Sequence, residues 1–470
     1  MKETKPVEFK FVTDKRQEPD KLSPEERIRH SASVYLSYSL DQAQNQAGRC
    51  LDCGNPYCAW QCPVHNHIPG WLRLVAEGKL EEAANLAHQT NPFPEVCGRI
   101  CPQERLCEGA CTLNDGLGAV TIGAIEQFIA DKALENGWRP DMSAVKPNGR
   151  RVAVIGAGPA GLACASVLAK NGTEVSVFDK YPEIGGLLTF GIPEFKLEKK
   201  IIRQRRQILE EMGVRFHLNT EVGRDLNPQQ LLLEYDALFL GLGADKGKKA
   251  GIPGEALENV YQALDFLVHN IYSFLGLPGY EPFDFRNKKL VILGGGDTAM
   301  DCNRSALRLE AFSVDCVYRQ GMLDMPGARK EIKNAIEEGV HFVCHKQAVE
   351  LIGDKKVEAV KLVNTVKNAS GRLEYQEGSE YILPADAVII AYGFDANPPE
   401  WLGHLSVDLT DKGLVETSEK ANFPFQTSNP RIFCGGDMVL GADLVVRAIA
   451  QGVSAAESML RYMQNESRSL

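Results

Sequence analysis

Eight of the 13 cysteines fall between Cys50 and Cys111, in two runs. The first is Cys50-Leu-Asp-Cys53-Gly-Asn-Pro-Tyr-Cys58-Ala-Trp-Gln-Cys62-Pro63. The second is Cys97-Gly-Arg-Ile-Cys101-Pro102, continuing to Cys107 and Cys111. Such close spacings let several thiolates of one loop reach a single iron–sulfur cubane. A Pro after the last Cys of a run resembles the ferredoxin ending, whose fourth Cys ligates the other cluster. Sharing of that kind would tie both runs into one compact module. Two zinc sites of four thiolates each would use the same eight residues, and inert buried thiols are the plain reading of any lone Cys. The Cys-Pro step in each run fits iron–sulfur better than either. A disulfide framework belongs to small secreted chains. The five scattered cysteines, Cys164, Cys302, Cys316, Cys344 and Cys434, are expected in core packing.

Two glycine-rich turns carry a second chemistry. Gly156-Ala157-Gly158-Pro159-Ala160-Gly161 follows an apolar strand and opens a helix, and Asp179 ends the next strand. Glycines there permit a tight turn and close approach of a pyrophosphate to a helix N-terminus, and the acid can bind ribose hydroxyls. Gly294-Gly295-Gly296-Asp297-Thr298-Ala299 is the second turn. Its following strand ends Val317-Tyr318-Arg319, with no acid where Asp179 stands in the first unit. An Arg at that point suits a 2′-phosphate and hence NADPH, and Arg329 and Lys330 are candidates to extend the patch.

Electron counting orders these sites. NADPH gives two electrons as hydride, whereas iron–sulfur clusters accept one at a time, so a flavin must stand between them. FAD is therefore expected on the first turn and NADPH on the second. A further flavin segment is expected at Phe433-Cys434-Gly435-Gly436-Asp437: Asp437 would accept a ribityl hydroxyl, and a helix beginning near Leu444 and Val445 would aim its positive end at the flavin.

The elements that must hold these residues are legible in outline. A helix is expected from about Ser31 to Gly48, with further helices over Pro69–Gly78, Leu80–Gln89 and Thr121–Asn136 around the cysteines. Asp141–Gly149 reads as a linker. After it come two strand–turn–helix–strand units, Arg151–Asp179 and Lys289–Tyr318, each the start of a parallel-sheet nucleotide domain. Arg431–Met463 adds a strand, a Gly-Gly-Asp turn and a long helix.

Composition narrows the class. A length of 470 residues suggests about three domains. The net charge of −10, without a basic block, argues against a nucleic-acid partner. The charged N-terminus lacks the apolar stretch of a secretory signal, and no apolar run is long enough to span a bilayer. No membrane association and a cytoplasmic location are the expectation.

With these motifs in hand, the chain resembles the small (β) subunits of bacterial NADPH-dependent glutamate synthase over almost its whole length. The resemblance is carried by residues 49–58, 96–102, 184–193, 294–302 and 434–438. A wider group shares them, including the N-terminal part of dihydropyrimidine dehydrogenase and stand-alone NADPH:acceptor modules.

The resemblance implies an α-helical iron–sulfur domain followed by an α/β flavoprotein with two dinucleotide-binding domains, of the glutathione or adrenodoxin reductase type. The expected division is 1–150 for two [4Fe–4S] clusters, 151–285 and 391–470 for FAD, and 286–390 for NADPH. One cluster is implied on Cys50, Cys53 and Cys58 with Glu126 as a non-Cys fourth ligand. The second is implied on Cys62, Cys101, Cys107 and Cys111. Counting alone would instead make Cys97 the eighth ligand. The resemblance also places Gly185, Gly186 and Leu187 along the flavin and Lys196 near flavin N5, where it would stabilise charge on the reduced ring. Gly243 and Gly393 fall at chain crossings near the cofactors.

One departure stands beside Arg319: Gln320 occupies a position where close relatives tend to carry a second Arg, which weakens discrimination for the 2′-phosphate. The implied activity is electron input from NADPH through FAD and the clusters to a separate glutamate synthase large (α) subunit in a hetero-oligomer. There, glutamine and 2-oxoglutarate would give two glutamates. The alternative is the same electron chemistry serving ferredoxin or another acceptor.

Overall fold

The structure is a computed structural model and describes residues 10–29, 31, 33–418 and 422–468. The cysteine-bearing head is helical: α1 (Leu40–Ala47), α2 (Ile68–Ala76), α3 (Leu80–Thr90), α4 (Pro94–Ile100) and α5 (Ile122–Glu135). The first helix begins later than expected, at Leu40. The reason is local. Ser39 caps it by accepting from the Gln42 N–H, while the Gln42 side chain accepts from the Ser39 N–H, a reciprocal capping box that fixes the start. Trp71, Leu72, Ile122, Ile125 and Phe128 close the core of the head. Each fully covered aliphatic chain there contributes roughly 1.5–3 kcal/mol. Helix α4 crosses the second cysteine run and lies so close to α5 that a Cβ on Gly98 would sit 2.5 Å from the Gln127 nitrogen.

Beyond the linker two parallel sheets form. Their elements are β1 (Arg151–Ile155), α6 (Pro159–Lys170), β2 (Glu174–Phe178), α7 (Lys199–Glu211), β3 (Arg215–His217), β4 (Ala237–Leu240), β5 (Val260–Gln262), β6 (Lys289–Leu293), α8 (Asp297–Arg308), β7 (Ser313–Tyr318), α9 (Arg329–Glu337), β8 (His341–Cys344), β9 (Lys346–Ile352), β10 (Ala359–Lys367), β11 (Ala387–Ile390), β12 (Ile432–Cys434) and α10 (Val445–Arg468). The first sheet has the order β12-β4-β1-β2-β3 and the second β5-β11-β6-β7-β8. Each apolar strand is buried along nearly its whole length, as sheets covered on both faces require.

The second sheet departs from the expected boundary. Val260–Gln262 pairs with β11, so this sheet already takes chain from before residue 286. An antiparallel extension centred on β9 and β10 was not foreseen. Between the sheets, Phe394–Asp395 pairs with Lys246–Gly247, and the Lys248 N–H donates to the Gly393 carbonyl at 3.0 Å. Gly243 and Gly393 thus lie at the paired crossings.

Ionic contacts, one of them buried, join the parts. Arg205 on α7 grips Glu95 on α4 with two hydrogen bonds of 2.8 and 2.9 Å, both side chains being almost fully covered. Lys21 and Arg27 of the N-terminal arm reach Glu337 on α9.

Candidate functional site

The first glycine turn is shaped by contact. A Cβ on Gly161 would lie 1.9 Å from the Gly156 carbonyl oxygen, so only glycine lets α6 start this close to β1. Asp179 accepts from the Ala157 N–H at 2.6 Å and the Tyr181 N–H at 2.8 Å. These bonds hold the acid at the tip of β2, beside the turn. Gly185 donates its N–H to the Ala157 carbonyl at 2.8 Å. Gly186, at φ +53°, brings its open side against Gly158, where a Cβ would be 3.1 Å from the Gly158 Cα. Leu187 opens the short helix that follows.

The last segment joins the same place. A Cβ on Gly436 would meet the Ala160 methyl at 3.2 Å, and one on Gly452 would strike the Ala160 carbonyl at 2.1 Å. Gly156, Gly158, Pro159, Ala160, Gly161, Asp179, Gly185, Gly186 and Gly436 therefore converge, although they come from three stretches of chain. Helix α10 begins at Val445, directly after Leu444. Burial pushes the Asp437 carboxyl up to about 6. The backbone cradle at a helix N-terminus with a waiting acid fits FAD.

Lys196 has a defined partner. Its ammonium lies 3.0 Å from Asp301 on α8, with Glu331 at 4.0 Å. Burial works against that charge, but Asp301, Glu331 and Asp297 outweigh it and hold the ammonium above its ordinary value. Lys196 thus links the first sheet's loop to the second domain, and Arg304 and Arg308 flank it by stacking on Phe195. Sequence reasoning also missed Lys199, whose ammonium donates to the carbonyls of Leu188, Ile192 and Leu197 and so braces the Gly185–Lys196 loop from behind.

At the second turn the Tyr318 ring packs where a Gly295 side chain would be, 2.6 Å from an added Cβ. The Gly327 N–H donates to the Gly295 carbonyl at 3.0 Å. Asp297, the first residue of α8, accepts from the Ala328 N–H at 2.9 Å, and Thr298 and Ala299 continue the helix. Gly296 leaves open space beside its Cα. This cradle fits a second dinucleotide. Arg319 is exposed at the end of β7. Arg329 and Lys330, expected to extend the phosphate patch, are both hydrogen-bonded to protein groups. Arg329 donates to the Met322 and Leu323 carbonyls, and Lys330 to the Arg99 and Cys101 carbonyls and to Gln103 of the head.

The cysteines form two groups. Cys50, Cys53, Cys58 and Cys111 line one pocket, walled by Pro56, Tyr57, Pro69, Leu72, Leu113, Val120 and Ile122. Four thiols in an apolar setting fit a cubane. The expected partition is corrected here: Cys111, not Glu126, shares the pocket of the first run, because the turn over Thr112–Asn114 folds back against that loop.

Glu126 belongs with the other group. Its charge is felt by Cys62, Cys97, Cys101 and Cys107. Its Oε1 accepts from Asn91 at 3.1 Å and Asn66 at 3.4 Å, and burial pushes it up to about 8. Cys97 donates to Asn91 Oδ1 at 3.8 Å. Burial likewise raises Cys50 to about 11 and Cys58 and Cys62 to about 12, so metal binding must displace protons from these thiols. Of the outlying cysteines, Cys164, Cys302, Cys316 and Cys434 are buried as expected, while Cys344 is partly exposed.

A helical thiol-bearing head on two dinucleotide cradles defines a class, the iron–sulfur flavoprotein oxidoreductases. Comparison with known proteins agrees. Residues 27–138 match the family described as dihydropyrimidine dehydrogenase domain II, 4Fe-4S cluster, which decides for iron–sulfur over zinc. Residues 150–452 match pyridine nucleotide-disulphide oxidoreductase. The chain is 53% identical to the glutamate synthase [NADPH] small chain of Halomonas elongata, over 97% of this chain and 98% of that one. It is equally similar to the protein of that name from Escherichia coli, over 97% and 99%. The chain belongs to the glutamate synthase [NADPH] small chain family.

It is 49% identical to the putative oxidoreductase AegA of Escherichia coli, over 97% of this chain but 71% of that one. FprA of Mycobacterium tuberculosis shares the flavoprotein fold, with a TM-score of 0.57, 19% identity and coverage of 69% of this chain and 86% of that one. The chain is an NADPH-dependent oxidoreductase with FAD and [4Fe–4S] iron–sulfur as its cofactors. Among the described residues no helix is long and apolar enough to cross a membrane.

Proposed function

We propose that this chain is the electron-input subunit of a cytoplasmic glutamate synthase, assembled with a large subunit that forms glutamate from glutamine and 2-oxoglutarate. When bound, FAD would take hydride from NADPH and release electrons singly to two [4Fe–4S] clusters. The first turn, Asp179, Gly185–Leu187 and Gly436–Asp437 would hold the flavin, with Lys196 at its edge, and the second turn and Arg319 the NADPH. Cys62, Cys101, Cys107 and Glu126 would hold an inner cluster, and Cys50, Cys53, Cys58 and Cys111 an outer one.

One observation supports this reading: thiols of the inner group touch the core of the flavin cradle, and those of the outer group do not. Cys62, Cys97 and Cys101 pack into the core that also contains Ala157, Ala160 and Ile184 of the flavin cradle. Cys50, Cys58 and Cys111 pack only against the core of the head. Outside the outer group stand exposed Leu51, Tyr57 and Trp60, the last two in edge-to-face contact at 5.3 Å. Such a patch beside an electron exit suits a docked protein.

The test is anaerobic glutamate formation by this chain mixed with its cognate large subunit. Formation driven by NADPH and needing both chains is expected. NADPH bleaching of the flavin without glutamate would point to a different acceptor. The AegA likeness favours keeping that second reading, because there a closely similar module is part of a longer protein.

A further inference from the structure

The carboxyl edge of the second sheet carries a groove with no role so far. It is lined by Gln320, Asp324, His345, Lys346, Thr365 and Lys367, among others. In a dinucleotide fold the pyrophosphate sits on the glycine turn and the adenosine ribose at the end of the next strand. Here that strand is β7, and its last residue, Tyr318, is the one packed on Gly295. Arg319 and Gln320 come next, so the groove begins where the 2′-position of the adenosine ribose would fall. Arg319 offers one cation there and Gln320 none.

The adjoining strand supplies more. β8 lies next to β7 in the sheet, and His345 follows it immediately. The His345 N–H donates to the Gln320 carbonyl at 3.1 Å. Its imidazole stands over the neighbouring glycine, with Nε2 3.3 Å from where a Gly321 Cβ would be. Asp324 is already matched, since Lys367 pairs with it at 3.1 Å. Lys346, tied to Asn364 and lying over the Tyr381 ring, adds a further positive charge. An edge with surplus positive charge and a ring N–H suits a phosphate monoester.

We propose that His345 is a specificity-determining residue for NADPH, donating to the 2′-phosphate beside Arg319 from the side that Gln320 leaves neutral. This rests on the reading of the second turn as the NADPH site. His345 has φ +55°, a conformation that His and Asn adopt more readily than most residues. His345→Asn therefore keeps the turn while removing the imidazole.

Two measurements on the holoprotein decide the matter. One is the ratio of kcat/KM for NADPH over NADH with ferricyanide as acceptor. The other is calorimetric binding of 2′,5′-ADP against 5′-ADP. In His345→Asn the ratio is expected to fall about tenfold, with 2′,5′-ADP losing its advantage in parallel, and His345→Arg is expected to restore both. If Arg319→Ala lowers the ratio and His345→Asn does not, the role of His345 is overturned and the NADPH site stands. If neither lowers it, the phosphate seat itself is misplaced. Equal losses for both coenzymes in His345→Asn would make the residue structural and also overturn the proposal.

Discussion

The outer thiol site takes Cys50, Cys53 and Cys58 from one short loop and adds Cys111 from the second run. The inner group draws Cys62, Cys101 with Cys107, and Glu126 from three separate stretches of chain. Its surroundings differ as much as its origin. The outer thiols are partly exposed and stand behind surface aromatics, whereas Cys97 and Cys101 are buried against the flavin-binding part. The inner group is fixed by contacts between domains: Lys330 on α9 donates to the Cys101 carbonyl at 3.3 Å, and the Arg205–Glu95 pair locks α4 onto α7. A site made mostly by one loop within the head can be lost without disturbing the other domains. A site made where three parts meet is expected to fail together with them.

The largest effect tests that contrast. Cys58→Ser is expected to lose the outer cluster alone, leaving about half of the iron and an undiminished bleaching of the flavin by NADPH. Delivery of single electrons to a protein acceptor should drop by more than the roughly 10- to 100-fold typical of changes around metal ligands. Cys101→Ser is expected to lose the inner cluster and weaken the seat of the head as well. Iron content and the electron paramagnetic resonance of the reduced protein check both. Loss of all iron in Cys58→Ser would show that the outer site does not assemble independently of the inner one.

The next effect is on stability. Glu95→Gln leaves the Arg205 guanidinium buried with His88, at 3.4 Å, and the face of the Phe93 ring as its other side-chain partners. Removing one member of a buried pair typically costs about 3–5 kcal/mol. Trp138 is a local reporter, because its ring stacks on His88 at 3.8 Å. Its emission in a denaturant series should show the head loosening before the flavoprotein part in Glu95→Gln, and both unfolding together in the unaltered chain. Coincident transitions in the variant would mean that the pair does not join the two parts energetically.

The same contrast explains what could be read from the chain. Both strand–turn–helix units were legible, because Gly161 and its neighbours announce a backbone approach that other residues forbid. The helices α2, α3 and α5 were legible from apolar spacing. Helix α4 was not: Gly98 inside it lowers the local helix propensity, and only packing on Gln127 shows why a glycine belongs there. The candidate ligands could be named from the two runs and the resemblance, but which thiols share a pocket could not. Which thiols share a pocket depends on the fold-back of Thr112–Asn114, a tertiary fact without a local signal. His345 escaped for a similar reason, since its place beside Gln320 comes from the pairing of β8 with β7, across 25 residues of chain.

The smallest effect sharpens the inner site itself. Cys97 lies within the second run, yet its thiol is turned to Asn91 Oδ1 at 3.8 Å. Asn91 Nδ2 in turn donates to Glu126 Oε1. If Glu126 is the ligand, Cys97 is a packing residue. Its removal costs little, because Asn91 Oδ1 keeps the Phe93 N–H at 3.0 Å as a donor. Cys97→Ala should then lower stability by only about 1 kcal/mol, the scale of deleting one small buried group, and keep all the iron. Glu126→Ala should lose about half of it. The reverse pattern would make the inner site all-thiolate like the outer one, and the chemical difference between the two would disappear, leaving only the difference in how the chain assembles them.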